Sequence, residues 1–161
     1  MQTAYFAGGC FWCVEAIFQR VDGVKELTSG YCNGSTQNPT YEEVCSGQSG
    51  HAEVLKIEFD EQQISFTDLL EVFVETHDPT SLNQQGADRG TQYRSAVFYI
   101  DSVQRDLAIS LISSIPDAVT EISSLDVFYP AEGYHQNYYN NDPNQPYCQM
   151  VILPKINKYF K

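Results

Sequence analysis

The sequence is short of positive charge. Nine Lys and Arg stand against twenty-one Asp and Glu, a formal net charge of -12 over 161 residues. That balance argues against nucleic acid or an anionic membrane surface as a partner. Long apolar runs are missing too: none approaches the roughly 20 residues needed to span a bilayer. The N-terminus has neither a basic n-region nor an apolar h-region, so no secretory leader is expected. Repeats, low-complexity tracts and domain linkers are absent. Residues 1–161 are therefore expected to form one domain, long enough for a real core, and a monomer. Histidine is scarce, with three in the chain, and no set of histidines and carboxylates has metal-ligand spacing. Neither a metal nor another cofactor is expected. The five cysteines are an odd number, a poor fit to a secreted disulfide framework. A cytoplasmic chain carrying a reactive thiol pair fits better.

Hydrophobic periodicity sets the expected elements. Ala4 to Ala7 reads as a short buried strand that ends at Gly8-Gly9. A helix over about Phe11–Arg20 places Val14, Ile17, Phe18 and Val21 on one side. Val24 to Tyr31 reads as a second strand, and Ala52 to Phe59 alternates as a third. Ser65 is a candidate N-cap for a helix carrying the stripe Phe66, Leu69, Leu70, Phe73, Val74 and His77. Arg94 to Ile100 is a fourth strand, Ser102 to Ile115 a third helix, and Val119 to Phe128 a possible fifth strand. Two polar stretches, Cys32–Gly50 and Thr80–Thr91, exceed ordinary connections, and such loops often carry function. From about 129 the chain is rich in Tyr, Asn and Pro and is expected to be irregular, wrapping the core. The first six elements follow the split βαβ order. The expected fold is mixed α/β: a two-layer sandwich with a ferredoxin-like core, whose two long loops converge over the start of the first helix.

Cys10 and Cys13 stand where the first strand hands over to that helix. Unpartnered N–H groups and the helix dipole there favour thiolate over thiol, so Cys10 is expected to be an exposed nucleophile of lowered pKa. Structural cysteines, or part of a zinc site with Cys32 and Cys45, are the alternatives. Glu53 shares a strand face with Leu55, Ile57 and Phe59, which places a carboxyl on the core side, or in solvent if residue 53 lies just outside the strand. Burial would raise its pKa and make it a proton donor near neutral pH. Tyr41 and Tyr93 lie in the long loops or at their exit, where phenols can add hydrogen bonds to the same substrate oxygen. Asp88 is either a turn acid or a site residue. Phe11 and Trp12 can wall a small apolar group, and His135 can help line a pocket.

These residues resemble the peptide methionine sulfoxide reductase A family. The likeness runs through Gly8-Gly9-Cys10-Phe11-Trp12, Asn38-Pro39-Thr40-Tyr41, Val44-Cys45-Ser46-Gly47 with Gly50-His51-Ala52-Glu53, His77-Asp78-Pro79-Thr80, Asp88 through Ser95, and Tyr134-His135-Gln136. It spans almost the whole chain in family order. The resemblance implies one catalytic domain that reduces the S-epimer of methionine sulfoxide, free or in proteins. It implies Cys10 as nucleophile, and Glu53, Tyr41 and Tyr93 on the sulfoxide oxygen. Phe11 and Trp12 would receive the methyl group, with Asp88 in the same pocket. A sulfenic acid on Cys10 would condense with a second thiol, and thioredoxin would reduce the disulfide. Many members carry Gly at the position of Cys13 and resolve with a cysteine near the C-terminus. This chain has both Cys13 and Cys148. Cys13 is preferred because a Cys-x-x-Cys loop closes readily; Cys148, placed in a flexible tail, is the alternative or a relay. A general thiol–disulfide oxidoreductase and a zinc-stabilised binding module are the competing functions.

Overall fold

A computed structural model describes residues 1–160. In chain order the elements are β1 (Gln2–Ala7), α1 (Phe11–Phe18), β2 (Val24–Cys32), α2 (Tyr41–Cys45), β3 (Ala52–Phe59), α3 (Phe66–Thr76), β4 (Gln84–Gln85) and β5 (Asp88–Arg89). They continue with β6 (Ala96–Tyr99), α4 (Ser102–Ser113), β7 (Glu121–Ser124), β8 (Phe128–Pro130), α5 (Tyr138–Asn141) and α6 (Leu153–Tyr159). Short 3-10 turns lie at Thr91–Tyr93 and Gly133–His135, and a π-helical turn at Cys148–Ile152 runs into α6.

Six strands form one sheet in the order β7-β6-β1-β3-β2-β8. β3 lies antiparallel between β1 and β2, and β6 is antiparallel to the other edge of β1. The central four strands are thus the split βαβ arrangement, with α1 and α3 as the crossovers. One face carries Ala4, Phe6, Leu55, Ile57, Phe59 and Val97, and residues of α1, α3, α4, α6 and the π-helical turn close over it as the main core. Tyr5, Ala7, Cys32, Val54, Ala96 and Phe98 form a smaller cluster of their own, covered by Leu125 and Phe128. Strand alternation explains the partition, since Tyr5 and Ala7 interleave with Ala4 and Phe6. Ser65 caps α3 in a capping box with Asp68.

Several boundaries depart from the expectation. α1 and α4 each end two residues early, at Phe18 and Ser113. The fifth strand is two strands at opposite edges: β7 runs parallel to β6, and β8 runs antiparallel to β2. The turn through Leu125 and Asp126, where the Asp126 N–H donates to Asn33 Oδ1, carries the chain from one edge to the other. Nor is the segment after 129 simply irregular. Its α5, π-helical turn and α6 bury Tyr139, Cys148, Ile152 and Ile156 against the main core. Four apolar residues spread over eighteen positions leave too faint a period to see in advance.

The long loops hold short elements of their own. α2 interrupts the first and is capped by Thr40 in a box with Glu43. Buried His51 pins that loop, accepting from the Gly34 N–H at 3.1 Å and bonding the Thr36 carbonyl at 2.6 Å. The second loop contains the β4–β5 hairpin and a 3-10 turn. Arg94 at its exit donates to the Gly50 carbonyl at 3.0 Å and to Glu121 at 3.0 Å. The loops are thereby tied to each other and to the sheet edge.

Candidate active site

Cys10 is the N-cap residue of α1, reached through Gly9 at a φ of 88°. A side chain at Gly9 would meet Gln85 at 2.8 Å, so position 9 must be glycine on two counts. Around Cys10 gather Phe11, Tyr31, Val44 and Ala131, with Trp12, Tyr41, Tyr93 and Tyr147 packed against them. The residues expected to form a site therefore meet: both loops contribute, and so does the tail. Gln92 of the second loop donates to the Cys45 carbonyl of the first at 3.4 Å, closing the rim.

Glu53 lies on β3 opposite Tyr31 of β2 and is 1% exposed. The Phe11 N–H, in the first turn of α1, donates to its Oε1 at 3.1 Å. Oε2 has no protein partner. Burial pushes the carboxyl up to about 8; the Phe11 N–H works against this and the Asp88 charge adds to it. At neutral pH the group is an acid holding its proton.

The thiol corrects the expectation on two points. Cys10 is 8% exposed rather than open to solvent. Its pKa is raised well above the ordinary thiol value, first by burial, then by Glu53 and Cys13; the Trp12 N–H lowers it without prevailing. The magnitudes account for the sign. A helix terminus contributes about 0.3–1 kcal/mol at exposed sites, up to about 2 when partly buried, whereas loss of water around an anion shifts buried groups by up to about 3–5 pKa units.

Trp12 stacks on Tyr138 with centroids 3.9 Å apart and planes at 9°. Its Nε1–H donates to His135 Nδ1 at 3.1 Å. His135 is 1% exposed and also packs against Tyr41, centroid to centroid at 4.5 Å, and Phe11 at 5.3 Å. It stands behind the aromatic wall and fixes it, rather than lining the opening. The Tyr41 backbone N–H donates to Glu132 at 3.0 Å. The Tyr41 and Tyr93 phenols are both raised by burial, so they act as neutral O–H groups.

Cys13 is buried, and its pKa is raised by burial while the Lys155 charge opposes that. Its sulfur lies 3.5 Å from the Tyr147 hydroxyl, which in turn donates to Asp88 Oδ2 at 2.7 Å. Tyr147 is the site residue that sequence reasoning missed. Its partners lie 59 and 134 positions away, and no local pattern marks it among eleven tyrosines. Cys148 does not sit in a flexible tail: it is fully buried at the start of the π-helical turn and packs in the same core as Cys13. Cys32 lies in the separate smaller cluster. Among the described residues, no group of three or more His, Cys, Asp or Glu is placed to hold a metal ion, so the zinc reading finds no assembled set of ligands.

Comparison with known proteins gives a consistent result. The family described as "Peptide methionine sulfoxide reductase" matches residues 2–161. The peptide methionine sulfoxide reductase MsrA of Vesicomyosocius okutanii is 65% identical over 161 residues, covering 99% of each chain. Among solved structures, Mxr1 from Saccharomyces cerevisiae in reduced form superposes with a TM-score of 0.84 at 31% identity, over 91% of this chain and 88% of that one. Mxr1 in complex with Trx2 matches with a TM-score of 0.57 at 21% identity, over 85% and 84%, a likeness of fold alone.

Proposed function

This chain belongs to the peptide methionine sulfoxide reductase A family and reduces methionine sulfoxide with thiol electrons; we propose that Cys10 is its nucleophile, Glu53 its acid and Cys13 its resolving thiol. The observation that carries the reading is a buried carboxyl, Glu53, 1% exposed and hydrogen-bonded to the turn that presents Cys10, where burial pushes it up to about 8. Cys10 Sγ attacks the sulfoxide sulfur. Glu53 hands its proton to the sulfoxide oxygen and takes up the proton the thiol gives up. The sulfur–oxygen bond breaks as the hydroxyl passes to Cys10, leaving methionine and a Cys10 sulfenic acid. Atoms balance, and Glu53 ends protonated as it began. The Tyr41 and Tyr93 hydroxyls donate to the same oxygen, while Phe11 and Trp12 receive the methyl group and Asp88 closes the pocket beside them.

Cys13 then condenses with the sulfenic acid, releasing water. It is three residues from Cys10, on the same helical turn, and the Lys155 charge favours its thiolate. Cys148, close enough for its charge to act on Cys13, is the alternative resolving thiol or a relay that passes the disulfide on. Thioredoxin restores the thiols by exchange. One catalytic domain over 1–161, working as a monomer in the cytoplasm where thiols are kept reduced, completes the proposal. No helix among the described residues is long and apolar enough to cross a membrane.

The epimers of methionine sulfoxide are handled by separate enzymes, and the substrate here is assigned as the S form. The test is turnover of resolved S and R epimers, free and in a peptide, with thioredoxin, its reductase and NADPH. S-specific consumption of NADPH is expected. Equal rates on both epimers, or turnover that survives Cys10→Ser, would overturn the assignment.

A further inference from the structure

The contact between Tyr147 and Cys13 has a directional consequence. A phenol has one proton, and the Tyr147 hydroxyl gives it to Asp88 Oδ2 at 2.7 Å. Toward Cys13 Sγ, 3.5 Å away, the same oxygen can therefore offer only a lone pair, and the thiol is the donor. Thiol, phenol and carboxylate form a chain through which a proton can move in one direction, from sulfur to Asp88. Tyr147 is held in place for this by more than its hydroxyl. Its ring meets the Trp12 indole edge-on at 5.8 Å, and the next residue, Cys148, is buried in the core.

Cys13 needs such an outlet. The thiolate is the nucleophile in disulfide formation, yet burial raises the Cys13 thiol above its ordinary value. The groups whose charge acts on it are Lys155, Asp88 and Cys148. Lys155 supports the thiolate but cannot accept a proton. Of these, Asp88 is the one that the hydrogen bonds connect to the sulfur.

We propose that Tyr147 and Asp88 form a proton relay that activates Cys13 as it attacks the Cys10 sulfenic acid, an inference that rests on Cys13 being the resolving thiol. In this step a bond forms between the Cys13 and Cys10 sulfurs, and the bond from Cys10 sulfur to oxygen breaks. The Cys13 proton moves to the Tyr147 oxygen while the Tyr147 proton passes to Asp88 Oδ2. The departing hydroxide takes the Glu53 proton and leaves as water. Cys13 is oxidised and the sulfenic sulfur is reduced, both to the disulfide level. Asp88 later loses its proton to solvent, and Glu53 regains one. Tyr147 touches the reacting sulfur and is catalytic; Asp88 acts through it.

The experiment is a single turnover without reductant that follows two signals: methionine released, which reports the first step together with loss of the Cys10 thiol, and loss of a second thiol per methionine, which reports the second. Dimedone traps any sulfenic acid, and peptide mapping locates the disulfide. In Tyr147→Phe the methionine burst persists, disulfide formation slows at least about tenfold, and dimedone-labelled Cys10 accumulates. In Asp88→Asn the second step slows similarly, and the double variant is no slower in that step than the more impaired single one. In a Cys13→Ser background Tyr147→Phe has no further effect on thiol loss. A Tyr147 that served only as packing would slow both steps together, and this result would overturn the relay, as would disulfide formation at the wild-type rate. A Cys10–Cys148 bond in the wild type with Cys13 free would instead overturn the resolving-thiol assignment, and the relay with it. The disulfide map separates the two failures.

Discussion

Replacing Glu53 by Gln removes a transferable proton and little else. The side chains match in length, and the amide oxygen can still accept the Phe11 N–H that now bonds Oε1 at 3.1 Å. The wild-type carboxyl is pushed up to about 8, chiefly by burial. At pH 7 such a group is about nine-tenths protonated, against about one part in three hundred for a carboxyl at its ordinary value. A positioned general acid contributes roughly 10²–10⁴-fold. Methionine release in a single turnover should therefore fall by about a hundredfold or more in Glu53→Gln. The wild-type rate should decline as pH rises through about 8, and the variant should lack that decline. Rapid-quench assays with the S-sulfoxide measure both. Release at the wild-type rate by Glu53→Gln would refute the proton-donor role. Stability supplies a second readout. The carboxyl holds its proton more tightly in the folded chain than in the unfolded one. Its contribution is therefore fully present below about pH 4.5, is lost as pH rises through about 8, and stays lost above. At about 1.4 kcal/mol per pH unit the loss between about pH 5 and 8 is on the order of 4 kcal/mol. Denaturant melts of the wild type and Glu53→Gln near pH 5 and pH 8 should show that slope in the first and not in the second.

Other perturbations follow from the same geometry. His135→Leu keeps bulk behind the aromatic wall but leaves the Trp12 indole N–H without its acceptor, at a cost of about 1–3 kcal/mol in stability. The loosened wall should raise KM for the sulfoxide more than it lowers kcat, which steady-state kinetics will separate. Gly30→Ala would drive a methyl group to 2.5 Å from the Phe128 ring and the Tyr129 carbonyl, forcing β8 away from β2. A loss of about 1–3 kcal/mol is expected from a denaturant melt; an unchanged midpoint would mean that β8 does not hold that edge.

The residues that were legible in the sequence share one property: a local pattern fixes them. Gly9 and Cys10 mark a strand-to-helix handover, and Glu53 interrupts an apolar face at period two. Alternation left that carboxyl either in the core or just beyond the strand in solvent; the fold buries it, at 1% exposed. The Ser65 cap was readable because capping is a matter of three residues. What escaped depends on distance along the chain. Val119–Phe128 contains β7 and only the first residue of β8, and nothing in it says that the chain will leave one sheet edge and join the other. α2 is five residues long, too short to show a helical period. Tyr147 acquires meaning from Asp88 and Cys13, and Cys148 from a core assembled by α1, α3 and α6. The sign of the Cys10 shift escaped for a related reason: a helix start is visible in sequence, but the depth at which the fold buries it is not.

That sign alters how the chemistry is controlled. Had Cys10 been an exposed thiolate, any oxidant reaching the protein could have used it. The folded site holds two buried acids instead, a thiol and a carboxyl, each pushed up chiefly by burial, and the charge of Glu53 raises the thiol further. Neither group is poised to react alone. A sulfoxide changes the balance because its oxygen carries partial negative charge and its sulfur partial positive charge. In the proposed reaction the oxygen accepts from Glu53 and the phenols while the sulfur meets the developing thiolate. As Glu53 moves its proton toward that oxygen it can take the thiol proton, so no unpaired anion need form in the dry pocket. The feature that makes Cys10 sluggish at rest, its burial beside an acid, is then the feature that makes it selective. Reactivity appears when the bound molecule supplies the dipole that the resting site lacks. Cys13 faces the same burial without a substrate dipole to relieve it, and the relay proposed through Tyr147 and Asp88 would give its proton a separate outlet in the second step.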